Sequence, residues 1–297
     1  MFGGSIVAIV TPMFPDGRID FDTFEKLVEF HIENKTDAIV AMGTTGESAT
    51  VNFEEHREVV KKVVQYVGGR VPVIAGTGGN STEEAVRLTH WAAEDGADAC
   101  LLVAPYYNKP PQEGLYQHFK LIAETVDIPQ ILYNVPGRTA SDILPDTVER
   151  LADFKNIVAI KEASTFERVE QLVRRVGDKM DILTGEDGIA AKCVLAGAKG
   201  VISVTANIVP LQMHEMIQAA LAGDEARAYE INEKIKELHH VLFLEANPIP
   251  VKWVLQEMKK IHAGIRLPLV PLDKQYHLTV REAIKNAGLL YIIISLQ

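Results

Sequence analysis

A rhythm of short apolar runs constrains this chain more than any other feature. The runs are Ser5–Val10, Asp37–Ala41, Val71–Ala75, Asp98–Val103, Gln130–Asn134, Ile157–Lys161, Asp181–Thr184 and Gly200–Val204. Each is too short for a helix and carries little alternation, as expected of strands covered on both faces. Amphipathic stretches with helix-start signals separate them. Asn52 with Glu55, and Ser81 with Glu84, have capping-box spacing. Pro111, Pro145 and Pro210 stand where a first helical residue is expected. Phe24, Leu27, Val28 and His31 follow a 3.6-residue period, as do Val59, Val60, Val63, Val64 and Val67. Eight strand–helix units predict an α/β fold, a closed parallel (β/α)8 barrel of the TIM type. No Pro/Gly/Ser-rich linker breaks it. After Ala222 the rhythm stops: Asp224–Leu244, Pro248–Met258 and roughly Thr279–Ala287 read as helices with no strands between. The expected division is a barrel over 1–222 and a C-terminal helical appendage over 223–297. The apolar end, Leu289–Leu296, is expected to pack on that appendage.

Charge and cysteine usage narrow the function classes. Acidic residues outnumber basic ones 40 to 30, a net charge of -10, which disfavours nucleic acid and anionic membranes. Cys100 and Cys193 are too few for a disulfide framework and lack metal-ligand spacing. They read as core thiols. The first residues lack the basic region of a secretory signal, and no run approaches the roughly 20 apolar residues of a membrane span. The expectation is a cytoplasmic enzyme without a membrane or nucleic-acid partner.

A barrel of this type places its active site at the C-terminal ends of the strands, so the chemistry belongs at those ends. The second ends in Gly43-Thr44-Thr45-Gly46-Glu47-Ser48, a turn able to aim N–H groups and hydroxyls at an anion, or an ordinary glycine turn. After the fourth come Tyr106 and Tyr107 in a proline-rich loop, pointing different ways, one for a pocket and one for an interface. The fifth ends at Tyr133, a candidate proton donor and acceptor. Arg138 follows it, suited to gripping a carboxylate or to a surface salt bridge. The sixth ends at Lys161. Such a lysine either covers apolar surface with its stem or sits in a low-dielectric pocket, which favours the neutral, nucleophilic amine. Glu162 next to it points elsewhere and serves framework hydrogen bonds. Thr184-Gly185-Glu186-Asp187-Gly188 and Val201–Thr205 close the seventh and eighth strands with small or apolar groups suited to pocket walls. No strand end offers a metal set. An amine, a phenol, an anion turn and an arginine together point to carbonyl chemistry through a Schiff base.

The motifs GTTGE at 43–47, YNVPGRT at 133–139 and IKEAS at 160–164 resemble those of the pyruvate-dependent class I aldolase group, which includes N-acetylneuraminate lyase. The resemblance runs from SIVAIVTPM near the start to NPIPVKW and KNAGLL near the end. It implies that Lys161 forms an imine with pyruvate, needing no other cofactor and no metal. The resulting enamine attacks L-aspartate 4-semialdehyde, at the branch point of diaminopimelate and lysine biosynthesis. Tyr133, Thr44 and Tyr107 would relay protons, Tyr107 reaching in from a neighbouring subunit of a homotetramer built as a dimer of dimers. Thr45 would hold the pyruvate carboxylate and Arg138 that of the semialdehyde. Gly185 and Ile202 would line the pyruvate end through backbone groups. L-Lysine-sensitive members bind this effector at residues matched here by Ser48, Ala49, His56, Asn80, Glu84 and Tyr106. Phe53 departs from the pattern, since sensitive enzymes often carry histidine there.

Two other readings compete. A pyruvate-releasing sugar-acid lyase of the same group would share Lys161, Tyr133 and the GTTGE turn, while Arg138 favours an aldehyde bearing a carboxylate. A barrel without catalysis, used for binding, is opposed by the full set Lys161, Tyr133, Thr44, Tyr107 and Arg138.

Overall fold

The computed structural model describes residues 2–289. Eight strands, β1 Gly4–Ala8, β2 Ala38–Ala41, β3 Val73–Gly76, β4 Ala99–Val103, β5 Gln130–Asn134, β6 Ile157–Glu162, β7 Asp181–Thr184 and β8 Gly200–Ser203, pair in parallel and in chain order. β8 closes on β1 through Gly4↔Gly200 and Ile6↔Ile202. The seam needs its glycine, because a Cβ on Gly200 would lie 2.2 Å from the Gly4 carbonyl oxygen. The barrel read from the apolar rhythm is the observed one, with strand ends moved by a residue or two. β1 shows why. It stops at Ala8 rather than Val10, and the Val10 N–H turns to Asn207 Oδ1 at 3.1 Å.

Strand pleating sorts the apolar residues into two cores. Ile6, Val40, Ile74, Leu101, Ile131, Ala159, Leu183 and Ile202 fill the barrel interior. Their neighbours, such as Val7, Ile39, Cys100, Leu102 and Ile160, face outward against Val59, Val63, Phe119 and Leu172 of the helices. Both cysteines are buried and free. Burial pushes the Cys100 thiol up to about 12 and Cys193 to about 11, as inert core thiols should behave. An irregularity between β5 and β6 pairs Gln130 with Ile157 but Ile131 with Ala159. The extra residue, Val158, re-phases β6, and from there Ala159 and Lys161 share the inward face.

The helices start largely where the sequence places them. Asn52 and Glu55 form a complete capping box. At Ser81 only half forms: its hydroxyl accepts from the Glu84 N–H at 3.4 Å, while Glu84 lines a cavity. Pro145 and Pro210 are first helical residues, whereas Pro111 precedes its helix by one. The segment after β5, with its Pro136-Gly137 pair, holds a single helical turn, Pro136–Thr139. Beyond the barrel lie helices Glu225–Val241, Ile249–Glu257 and His277–Asn286. The first packs on Pro210–Leu221 and on the last. The apolar tail from residue 290 onward lies outside the described residues. Among the described residues no helix is long and apolar enough to cross a membrane.

Candidate active site

β5 and β6 pair Tyr133 with Lys161, and β6 and β7 pair Lys161 with Leu183. Lys161 therefore projects into the barrel from the inward face. It is 7% exposed, and its Nζ sits 4.2 Å from the Tyr133 ring centroid. A cation over that ring is stabilised by about 0.5–2 kcal/mol. The lysine stem lies against Gly185, where an added Cβ would come 2.8 Å from Lys161 Cε and 2.6 Å from Ala163 Cβ. The glycine is thus a space requirement of the lysine. Above the amine opens a cavity, about 480 Å³ with its open mouth, lined by Thr44, Thr45, Tyr133, Arg138, Glu186 and Asn247, among others.

The GTTGE turn is closed by Gly46 N–H on the Gly43 carbonyl at 3.0 Å and Glu47 N–H on that of Thr44 at 3.1 Å. It is fastened from behind. Thr11 Oγ1 donates to the Gly46 carbonyl at 2.7 Å. The Glu47 carboxylate pairs with the Lys252 ammonium and accepts the Arg266 N–H at 3.1 Å. Lys252 Nζ also donates to the Thr11 carbonyl at 3.0 Å. Both members of this ion pair are buried. Asn247 Nδ2 donates to Thr45 Oγ1 at 3.0 Å, tying the turn to the appendage. Met42, Glu47, Tyr107, Lys109 and Ala140 all hold left-handed backbone at this end of the barrel, φ between 47° and 74°. Each costs on the order of 1 kcal/mol or more, so the surrounding contacts hold these loops in shape.

Behind the pocket, Asn134 Nδ2 donates to Glu162 at 2.9 Å and to Asp142 at 2.8 Å, and Asp142 pairs with Arg168 at 2.9 Å. Glu162 has the framework role read from the sequence. Burial raises its carboxyl, and the Asn134 bond opposes that shift. Arg138 stands exposed on the helical turn after β5. Its one hydrogen bond among the described residues runs from Nη2 to the Asn247 carbonyl at 3.4 Å, which leaves the guanidinium free for a ligand.

Thr44, Thr45, Tyr133, Arg138, Lys161 and Gly185 come together around one cavity. Ile202 does not line it; it lies in the barrel interior, 1% exposed. Tyr107 does not line it either, being 88% exposed, whereas Tyr106 faces a second cavity. That cavity, about 1480 Å³ with its mouth, is lined by Ser48, Ala49, His56, Glu84 and Tyr106. It shares Thr44, Val135, Arg138 and Asn247 with the first. Asn80 adjoins it, donating to the Tyr106 carbonyl at 3.2 Å. The His56 Nε2–H donates to the Gly76 carbonyl at 2.8 Å, and burial holds this histidine below its usual pKa. Phe53 also lines the second cavity, with the Arg87 guanidinium 4.4 Å from its ring centroid. Among the described residues no cluster of three or more His, Cys, Asp or Glu could hold a metal ion.

Sequence reasoning gave no role to Asn247, Glu186 or the Glu47–Lys252 pair. Glu186 carried a signal, an acid at the end of a strand, and was passed over as pocket wall. Asn247 and Lys252 lie in the NPIPVKW stretch that carries the resemblance, but nothing in the chain ties them to the barrel.

Residues 1–287 match a family described as the dihydrodipicolinate synthetase family. The chain is 61% identical over 288 residues to the 4-hydroxy-tetrahydrodipicolinate synthase of Alkalilimnicola ehrlichii, spanning 97% of this chain and 99% of that one. It superposes with TM-score 0.96 and 54% identity on the chloride-inhibited dihydrodipicolinate synthase of Acinetobacter baumannii complexed with pyruvate, covering 97% and 100% of the two chains. The lysine-bound enzyme of Cyanidioschyzon merolae is similar at TM-score 0.94 and 38% identity, covering 97% and 99%.

Proposed function

Because the chain belongs to the dihydrodipicolinate synthetase family, we propose how its own residues perform the family's reaction. That reaction is the condensation of pyruvate with L-aspartate 4-semialdehyde to 4-hydroxy-tetrahydrodipicolinate, a lyase-class step leading to diaminopimelate and lysine. The observation that carries the assignment is Lys161 facing into the barrel beside Tyr133. The Lys161 amine adds to the pyruvate ketone and water leaves, giving an iminium. That group withdraws electrons from the adjacent methyl, which loses a proton and becomes an enamine. The enamine carbon attacks the aldehyde. The semialdehyde's amine then closes on the imine carbon, displacing Lys161 and freeing the heterocycle. Tyr133 and Thr44 relay protons, completed by Tyr107 of a neighbouring copy. Thr45 holds the pyruvate carboxylate, and Gly185 borders it through its backbone. The protein supplies the whole catalytic set, with no further cofactor.

The exposure of Tyr107 outside its own cavity supports a homotetramer, a dimer of dimers in which that side chain is used across an interface. The rhythm of the elements supports a division into a barrel over 1–222 and an appendage over 223–297. A biosynthetic role supports a cytoplasmic location. The second cavity supports L-lysine as an effector acting through Ser48, Ala49, His56, Asn80, Glu84 and Tyr106, as does the lysine-bound relative. An L-lysine titration should lower the initial rate saturably; flat activity would refute regulation at this cavity.

Arg138→Ala tests the binding assignment. Losing a charge-assisted pair should raise the semialdehyde KM about ten- to a hundredfold and leave the pyruvate KM within about twofold. Equal effects on both substrates would remove Arg138 from its role.

A further inference from the structure

An arginine recognises half of the second substrate's head. L-Aspartate 4-semialdehyde is an amino acid, and its α-carbon carries an ammonium beside the carboxylate. Discrimination from an aldehyde acid without nitrogen requires an acceptor beside Arg138 in the cavity.

Two groups meet that requirement, and neither yet serves a substrate. Asn247 is 6% exposed and lines the Lys161 cavity. Its amide N–H is used on Thr45 Oγ1 and its backbone carbonyl accepts from Arg138, but its side-chain Oδ1 is buried without a hydrogen-bond partner. An unpaired buried carbonyl costs about 1–3 kcal/mol, and a donor entering the cavity relieves it. Glu186 lines the same cavity from the loop after β7. Its carboxylate has no ion pair among the described residues. The adjoining Asp187 is turned away and engaged, accepting the N–H groups of Val204 and Thr205 at 3.0 and 2.9 Å. Burial, and then the neighbouring Asp187 charge, raise the Glu186 carboxyl, with Lys161 and Arg138 opposing. A cation arriving beside it offsets the first two effects.

We propose that Asn247 Oδ1 and the Glu186 carboxylate together receive the α-ammonium of the semialdehyde while Arg138 holds its carboxylate. The amino-acid head is then gripped by the loop after β5, the loop after β7 and the appendage, and the aldehyde is left free to face the enamine on Lys161. This inference rests on the reaction assigned above and adds the feature that makes the site select an amino acid.

The test uses the full-length enzyme and succinate semialdehyde, which keeps the carboxylate and aldehyde and lacks the ammonium. Glu186→Gln, nearly isosteric, should raise the aspartate semialdehyde KM about tenfold, while the pyruvate KM and the inhibition constant of succinate semialdehyde stay within about twofold. Asn247→Leu should act in the same direction. Asn247→Asp, which keeps an acceptor, should hold the semialdehyde KM within about threefold of the parent. Equal changes for both four-carbon aldehydes, or none for either, would overturn the proposal. Borohydride trapping of pyruvate on each variant separates the two levels. A normal adduct with an unchanged semialdehyde KM defeats this inference alone, and no adduct on the parent enzyme defeats the Schiff-base assignment and this inference with it.

Discussion

Lys161→Ala is expected to lower kcat/KM by about a thousandfold or more, equivalent to about 4 kcal/mol of transition-state stabilisation. The other cavity residues can still bind and orient both substrates, but none of them can make the covalent imine that turns the pyruvate methyl into a nucleophile. Borohydride in the presence of pyruvate should label Lys161 in the parent protein, found by peptide mass mapping, and leave the variant unlabelled. Folding should be little affected, because the lysine stem borders an open cavity rather than a sealed core. A variant that kept near-parental turnover, or an adduct found at another residue, would remove Lys161 as the nucleophile.

Lys252→Met should produce the largest loss of stability. The substitution roughly conserves volume and removes the only cation whose ammonium contacts the buried Glu47 carboxylate among the described residues. Breaking a buried pair from one side typically costs about 3–5 kcal/mol, since the remaining charge is stranded in a low dielectric. Glu47 keeps the Arg266 N–H, which offsets part of that. The Thr11 carbonyl loses a donor as well. Urea unfolding should show a clear fall in midpoint, and Glu47→Gln combined with Lys252→Met should regain most of it. An unchanged midpoint in the single variant would mean the pair contributes little. The same fastening shapes the turn that carries Thr44 and Thr45, so the single variant should also weaken pyruvate binding.

Much of this site was legible because its residues sit at strand ends. Once eight apolar runs imply a barrel, a lysine at the end of β6 and a tyrosine at the end of β5 are neighbours by strand order, while their pairing in register depends on the irregularity at Val158. The framework role of Glu162 was legible for the same reason, as it follows an inward residue by one and must face outward, while its partner Asn134 appeared only in the structure. Glu186 shows the limit. Its position was read correctly, but a lone acid on a loop looks the same whether it faces solvent or a ligand.

The sequence by itself determined the barrel and the strand that bears the nucleophile. These follow from periodicity and local chain stiffness, which act over a few residues. Only the tertiary structure decided that Asn247 meets Thr45 across 202 residues and that Lys252 neutralises Glu47 across 205. Such contacts depend on where the appendage docks on the barrel, and neither an asparagine in a turn nor a lysine on a helix carries a local mark of being buried there. The nucleophile was therefore readable from the chain, while the groups that hold its surroundings in place appeared only once the fold had closed over them.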